Sequence, residues 1–195
     1  NVPYTIEQGI FMRLLQAVGD DEYSVDYDKA QAITEAVVDW LDGNQDTSGF
    51  EGCEDDAYSS IDGRQPHRTA DIPFYSVSEL RLICNLPVEL YERMLPHITV
   101  WPLSGQGVIN INTATPAVLR SIIVSSSSIA SLQGINNKTP YQPPEPVLEA
   151  DLEQLLVKQK AEGYEQLENV TADLQSNQLW PGAPLGLFSD YFLLE

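Results

Sequence analysis

Apolar residues recur at helical spacing from the start of the chain. Ile6, Ile10, Phe11, Leu14, Leu15 and Val18 form one stripe, and Gly19 stops it. Ala32, Ile33, Ala36, Val37, Trp40 and Leu41 form a second, which Asp26 or Asp28 can cap at its start and Gly43 at its end. The stretch SVSELRLICN predicts a short helix capped by Ser76 or Ser78, with Asn85 as a left-handed stop. LPVELYERMLP predicts another, with Pro87 in its first turn and Pro96 past its end. The pattern then changes. Val108 to Ile111 alternates and is β-branched, as a strand requires. A helix capped by Thr115, with Pro116 in its first turn, follows. The polar run from Ser125 to Pro146 reads as a long surface loop. Leu148, Leu152, Leu155 and Leu156 mark the inner face of a further helix, and NVTADLQSNQL is read as a short one. GLFSDYFLLE, at the end, predicts a buried strand. Two strands are too few for a free-standing sheet, so further strands are expected outside this chain.

Composition narrows the function. The chain has 195 residues, 43% of them hydrophobic, enough for one domain or two small ones with real cores. Its formal net charge is −19 and its pI about 4.1, which argues against nucleic acid and anionic membrane surfaces. No run of apolar residues is long enough to span a bilayer. The chain lacks an initiator Met and shows no leader pattern, so the expectation is a processed chain or an excised piece of a longer protein. Cys53 and Cys84 allow only one pairing. In an oxidising compartment they can close a loop worth about 3–4 kcal/mol in the chain-entropy model. In a reduced cytosol they would be two buried thiols.

Candidate chemistry concentrates in DWLDGNQDTSGFEGCEDDAY, Asp39 to Tyr58, which holds seven carboxylates and no Lys or Arg. It hangs from the C-terminal end of a predicted helix, where the dipole repels anions. Asp42, Asn44, Asp46 and Ser48 alternate as a calcium loop presents oxygen ligands. Thr47 stands where such a loop needs Gly, and Cys53 where it needs its late carboxylate, which comes at Glu54, so this is not an EF-hand. Hard oxygen ligands without His or thiolate pairs favour Ca²⁺ over zinc. A solvated acidic loop is the competing reading. His67 reads as solvated and His97 as structural. Neither sits in a nucleophile context, and no phosphate-binding glycine loop is present, so no catalysis is expected. Short helices before an Asn-Thr-Ala helix start suggest a helix-hairpin-helix, but the Gly-rich hairpin is missing and the charge is wrong for DNA.

Taken together, DWLDGNQD…GCEDDAYSS, TADIPFYSVSELRLICNLPVELYERMLPHITVWP, INTATPAVLRSI and FSDYFLLE resemble, in order and spacing, the blocks of general secretion pathway protein K. That family is the large minor pseudopilin of bacterial type II secretion. The chain departs from it with Cys53 for the usual Ala, Asp71 for Asn, and Asn85 where Gly is common. The resemblance implies an α+β fold: a pilin-like antiparallel sheet with an inserted, mostly helical (SAM-like) domain over residues 1–105, and the rest of the pilin-like domain over 106–195. It implies Ca²⁺ held by Asp42, Asp46, Glu54 and Asp55, with Asp71 as a candidate. Asp39, beside Trp40, reads as structural, and Glu51 and Asp56 match no ligand position. It further implies a periplasmic protein with an inner-membrane anchor absent here, assembled with the minor pseudopilins I and J at the tip of a pseudopilus. A free-standing calcium-dependent binding module is the alternative.

Overall fold

Helix α1, Ile6–Ala17, forms from the first apolar stripe, opened by reciprocal hydrogen bonds between Thr5 and Gln8. The computed structural model describes residues 4–20, 22–59, 65–101, 107–125, 149–174 and 177–189. The remaining helices are α2 (Tyr27–Leu41), α3 (Asp55–Tyr58), α4 (Val88–Met94), α5 (Pro116–Ile122), α6 (Glu149–Ala161) and α7 (Leu167–Asp173). The strands are β1 (Ile109–Asn110), β2 (Ile123–Ser125), β3 (Asn177–Leu179) and β4 (Leu185–Gly186). The fold is α+β. Among the described residues none of the helices is long and apolar enough to cross a membrane.

The chain divides into two compact units, Asn1–Ala17 with Ser104–Glu195, and Val18–Leu103. Helix α1 therefore lies with the strands, whereas a helical domain over 1–105 would have placed it with the helices of the first half. The reason is packing. One face of α1 buries Ile10, Met12, Leu14 and Leu15, and α1 makes its main tertiary contacts with α5. Gly9 lies under the Trp180 ring, where an added Cβ would stand 2.5 Å from a ring carbon. A glycine inside a helix costs about 1 kcal/mol against alanine, which close seating of the indole offsets. Arg13, on the same helix, is buried and donates to the carbonyls of Arg120, Ser121 and Ile123 at the end of α5. A guanidinium is suited to this position, because it supplies several donors and the charge that a helix C-terminus attracts.

The core of this strand-bearing unit joins Ile10, Ile111, Leu119, Ile122, Ile123, Val124, Leu152, Leu155, Val170 and Trp180. Asn112 links its parts. Its amide donates to the carbonyls of Tyr164 and Leu187 and its carbonyl accepts from the Tyr164 N–H. The antiparallel sheet expected from the sequence is, among the described residues, two separate pairs. β2 and β3 are antiparallel, with Ile123 opposite Leu179, whereas β1 and β4 run parallel, with Ile109 opposite Leu185. β3 lies inside the stretch read as a short helix; among the described residues its helical part is the one in α7. Only the first part of the expected terminal strand falls within the described residues. Pairing covers Leu185–Gly186, Phe188 is 76% exposed rather than buried, and positions 190–195 lie outside the described residues. The 126–148 stretch, with Leu148 and most of the expected surface loop, lies outside them too.

Local signals set the helices of the Val18–Leu103 unit. Asp26 caps α2 by accepting from the Lys29 N–H. Ser76 and Glu79 form a capping box on the expected short helix, a 3-10 helix over Val77–Leu82. Asn85 is left-handed, with φ of 61°. α2 ends one residue earlier than a Gly43 stop implies, with Asp42 extended as its C-cap. The buried apolar side chains include Ile33, Ala36 and Trp40 of α2, Tyr58 of α3, Ile83, and Leu90 and Met94 of α4.

Arg13→Ala leaves three carbonyls at the end of α5 without their charged donor. It should destabilise the strand-bearing unit by roughly 3–5 kcal/mol, since hydrogen bonds to charged groups are worth about 1.5–3 kcal/mol each. Amide hydrogen exchange within α5 measures this; unchanged protection there would mean that Arg13 does not hold the helix end.

Candidate functional site

The acidic loop starts where α2 stops, and α2 itself folds it back. Glu35 and Asp39 stand one turn apart on the helix and are 2% and 0% exposed. The Glu35 carboxylate accepts the backbone N–H groups of Phe50 and Glu51 at 3.2 and 3.0 Å, and the Gln31 amide at 2.8 Å. Asp39 Oδ1 accepts the Ser48 N–H at 2.9 Å. Two glycines allow this approach. Gly49 takes φ of +60° beside Glu35, and a Cβ on Gly52 would stand 2.2 Å from Asp39 Oδ2. Sequence reading missed Glu35 and treated Asp39 only as structural. The available signal was like charge at i and i+4 on one helix, which is unfavourable unless other donors engage it.

The loop's own residues divide into three groups. Asp42, Asn44 and Asp46 form successive Asx turns: Asp42 Oδ1 accepts the Asn44 N–H at 3.1 Å, and Asn44 Oδ1 accepts the Asp46 N–H at 2.7 Å. Asp46 is exposed. Asp55 and Asp71 meet at Thr69. Asp55 Oδ1 accepts the Thr69 N–H at 3.0 Å, and the Thr69 hydroxyl lies 3.0 Å from Asp55 and 2.8 Å from Asp71. Its single proton serves one of them at a time. Asp71 is left-handed, with φ of 54°, and its N–H donates to the Trp40 carbonyl at 3.1 Å.

Glu54 stands apart. It is 6% exposed, and neither carboxylate oxygen has a hydrogen-bond partner. Asp39 Oδ2 and the Trp40 indole N–H are likewise buried without one. Burial pushes the Glu54 carboxyl up to about 7, and the negative charges of Asp39, Asp42, Asp71 and Asp55 push the same way. Burial also raises Asp39, partly offset by its hydrogen bonding from Ser48. The structure thus places Glu54 within the field of three of the four other predicted ligands, Asp42, Asp55 and Asp71. Among the described residues no three His, Cys, Asp or Glu side chains are gathered around one point as a finished metal site.

Cys53 and Cys84 are joined by a disulfide, with Cα atoms 6.5 Å apart. Beside it, the Asn85 amide donates to the Glu51 carbonyl and the Cys84 N–H to the Tyr58 hydroxyl, both at 3.2 Å. His67 is not the solvated side chain the sequence suggested. It is half-buried against Tyr58 at 4.8 Å and Trp40 at 6.0 Å, with its ring nitrogens beside the Gln65 and Leu82 carbonyls.

These features define an α+β chain whose strand-bearing unit is interrupted by a disulfide-linked helical unit carrying a buried, unpartnered carboxylate. A chain of this fold occurs in the solved GspK-GspI-GspJ complex of the enterotoxigenic Escherichia coli type 2 secretion system. The TM-score is 0.54 at 22% identity, over 74% of this chain and 48% of that one. The chain belongs to the type II secretion system protein K family, whose model matches residues 3–103. It is 30% identical over 141 residues to type II secretion system protein K of Pectobacterium carotovorum subsp. carotovorum, covering 71% of this chain and 40% of the relative. It is 34% identical over 120 residues to that of Pseudomonas aeruginosa, covering 62% and 32%. The chain therefore spans well under half the length of these relatives.

The raised Glu54 carboxyl has a consequence for stability. Its folded value lies above its unfolded one, so between the two the folded protein binds more protons than the unfolded chain. Stability then falls as pH rises. Without bound cations, the helical unit should lose on the order of 2–3 kcal/mol between about pH 5 and about pH 8, a loss that Glu54→Gln removes. Urea midpoints in EDTA at both pH values measure it. A variant and parent that lose stability in parallel would contradict this role for Glu54.

Proposed function

We propose that this chain is part of a minor pseudopilin of the K type. In this reading it forms the tip of a periplasmic pseudopilus with the pseudopilins I and J and supports export of folded proteins, with no catalytic role. The observation that carries the reading is the family match across the whole helical unit. The solved neighbour is itself a complex with I and J, which supports the choice of partners. A helical unit of this size, inserted into the strand-bearing unit, would keep another subunit from stacking above it, as a tip subunit requires. The full-length protein would be anchored in the inner membrane by a segment outside this chain.

The reading includes Ca²⁺ at the acidic loop. The residues fit a hard divalent cation: the orphaned oxygens of Glu54 and Asp39 are buried polar atoms that need a partner. Asp42, Asp46, Glu54 and Asp55 would hold the ion, with Asp71 contributing, and backbone carbonyls and water can complete the six to eight oxygens calcium takes. The ion would supply the positive charge that the loop lacks. Glu54 would hold it from the buried side, and Asp42 and Asp46 would contribute carboxylates from the more exposed limb.

Native mass spectrometry with purified I and J pseudopilins tests the assembly, with a 1:1:1 complex expected. No association would favour the free-standing calcium-dependent module instead. Chelation tests the ion. Calcium at a hundredfold excess over Kd should stabilise the folded chain by about 2.7 kcal/mol. Glu54→Gln should abolish that gain and weaken assembly, and Asp56→Asn should do neither. Coincident thermal melts with and without EDTA would reduce the loop to a solvated acidic run.

A further inference from the structure

We propose that the Cys53–Cys84 disulfide is an oxidation-set clasp, holding the acidic loop closed over its own like charges when no cation is bound. The loop has little internal compensation. Among its described residues the one ion pair is Asp55 with Arg68 at 3.7 Å, and the Arg68 side chain is almost fully exposed. Repulsion among Asp39, Asp42, Glu54, Asp55 and Asp71 tends to drive the limb from Glu51 to Tyr58 away from α2. The other limb has its own anchors, because Glu35 and Asp39 accept the N–H groups of Ser48, Phe50 and Glu51.

The Glu51–Tyr58 limb has contacts of its own, with Tyr58 against the Trp40 ring of α2 and Asp55 on Thr69, and three links tie it to Cys84 and Asn85: the disulfide, the Asn85 amide on the Glu51 carbonyl, and the Cys84 N–H on the Tyr58 hydroxyl. Only the disulfide is covalent, and it enters the chain at the residue before Glu54. The bond is also buried, with Cys53 7% and Cys84 6% exposed. This burial disfavours attack by a dissolved thiol in the folded chain, as a clasp that is set once rather than cycled requires. Its formation takes two electrons and two protons from the thiols. A disulfide oxidant such as oxidised glutathione accepts them by exchange and leaves as two thiols. The calcium part of the inference rests on the cation reading above; the clasp itself does not.

Hydrogen exchange on the full chain tests it, comparing the parent with C53A/C84A, each in EDTA and in excess calcium at mildly alkaline pH. In EDTA the parent should keep protection across 48–59, and the double variant should lose about tenfold or more there while α5 and α6 stay protected. Calcium should restore the variant. So should about 1 M salt, where the Debye length falls to about 3 Å, a response that a disulfide opposing no repulsion would not give. Equal protection of parent and variant in EDTA, or loss indifferent to salt, overturns the clasp. If calcium protects neither protein while the salt-sensitive loss persists, the cation reading fails and the clasp stands. If C53A/C84A does not fold in EDTA, adding D42N and D71N should restore folding by removing charge; failure of that variant also overturns the proposal.

Discussion

Backbone N–H groups accepted by two buried carboxylates hold the functional half of this molecule in place. Glu35 and Asp39 take the donors of Ser48, Phe50 and Glu51 and so turn the loop after α2 back along the helix that produced it. Buried backbone donors must be satisfied, and charge-assisted bonds do this more strongly than neutral ones. The next residues depend on that turn. With the chain returned along α2, Gly52 passes over Asp39, Cys53 meets Cys84, and Glu54 enters the interior.

The arrangement leaves charge where solvent cannot stabilise it. Three carboxylate oxygens, two on Glu54 and one on Asp39, are buried without a partner. A folded protein tolerates this at a site that something else completes, or where other bonds make the conformation unavoidable. Both routes are open in this unit. The acidic loop carries no cation of its own to answer these charges, which is the basis of the proposed ion, and a disulfide with two hydrogen bonds pins the limb that carries Glu54. The helical unit therefore has few ways to relax without losing its loop.

The strand-bearing unit follows different physics. Its order comes from apolar packing, with a few buried polar groups joining distant parts of the chain. Arg13 reaches the end of α5, and Asn112 ties Tyr164 to Leu187. These links span large sequence separations, and they explain why a helix at the start of the chain belongs with strands near its end. In chain order, the helical unit is an excursion between α1 and β1.

Sequence alone determined whatever depends on neighbours a few residues apart. The Thr115 cap and the left-handed Asn85 are local hydrogen-bonding and steric preferences, each where its pattern placed it, and of the alternative caps Asp26 or Asp28 and Ser76 or Ser78 the structure uses Asp26 and Ser76. The single cysteine pairing and the acidic run were legible because composition leaves no alternative partner and no internal counter-charge. Tertiary structure decided the rest. Membership of α1 in the strand-bearing unit, the parallel pairing of β1 with β4, the half-burial of His67 and the anchoring role of Glu35 all depend on contacts between distant segments. The burial of Glu54 is the clearest case. Seven carboxylates in one stretch look alike as letters. Which of them loses its water depends on how the loop returns to α2, and that is settled only when the backbone donors of Ser48, Phe50 and Glu51 find Glu35 and Asp39.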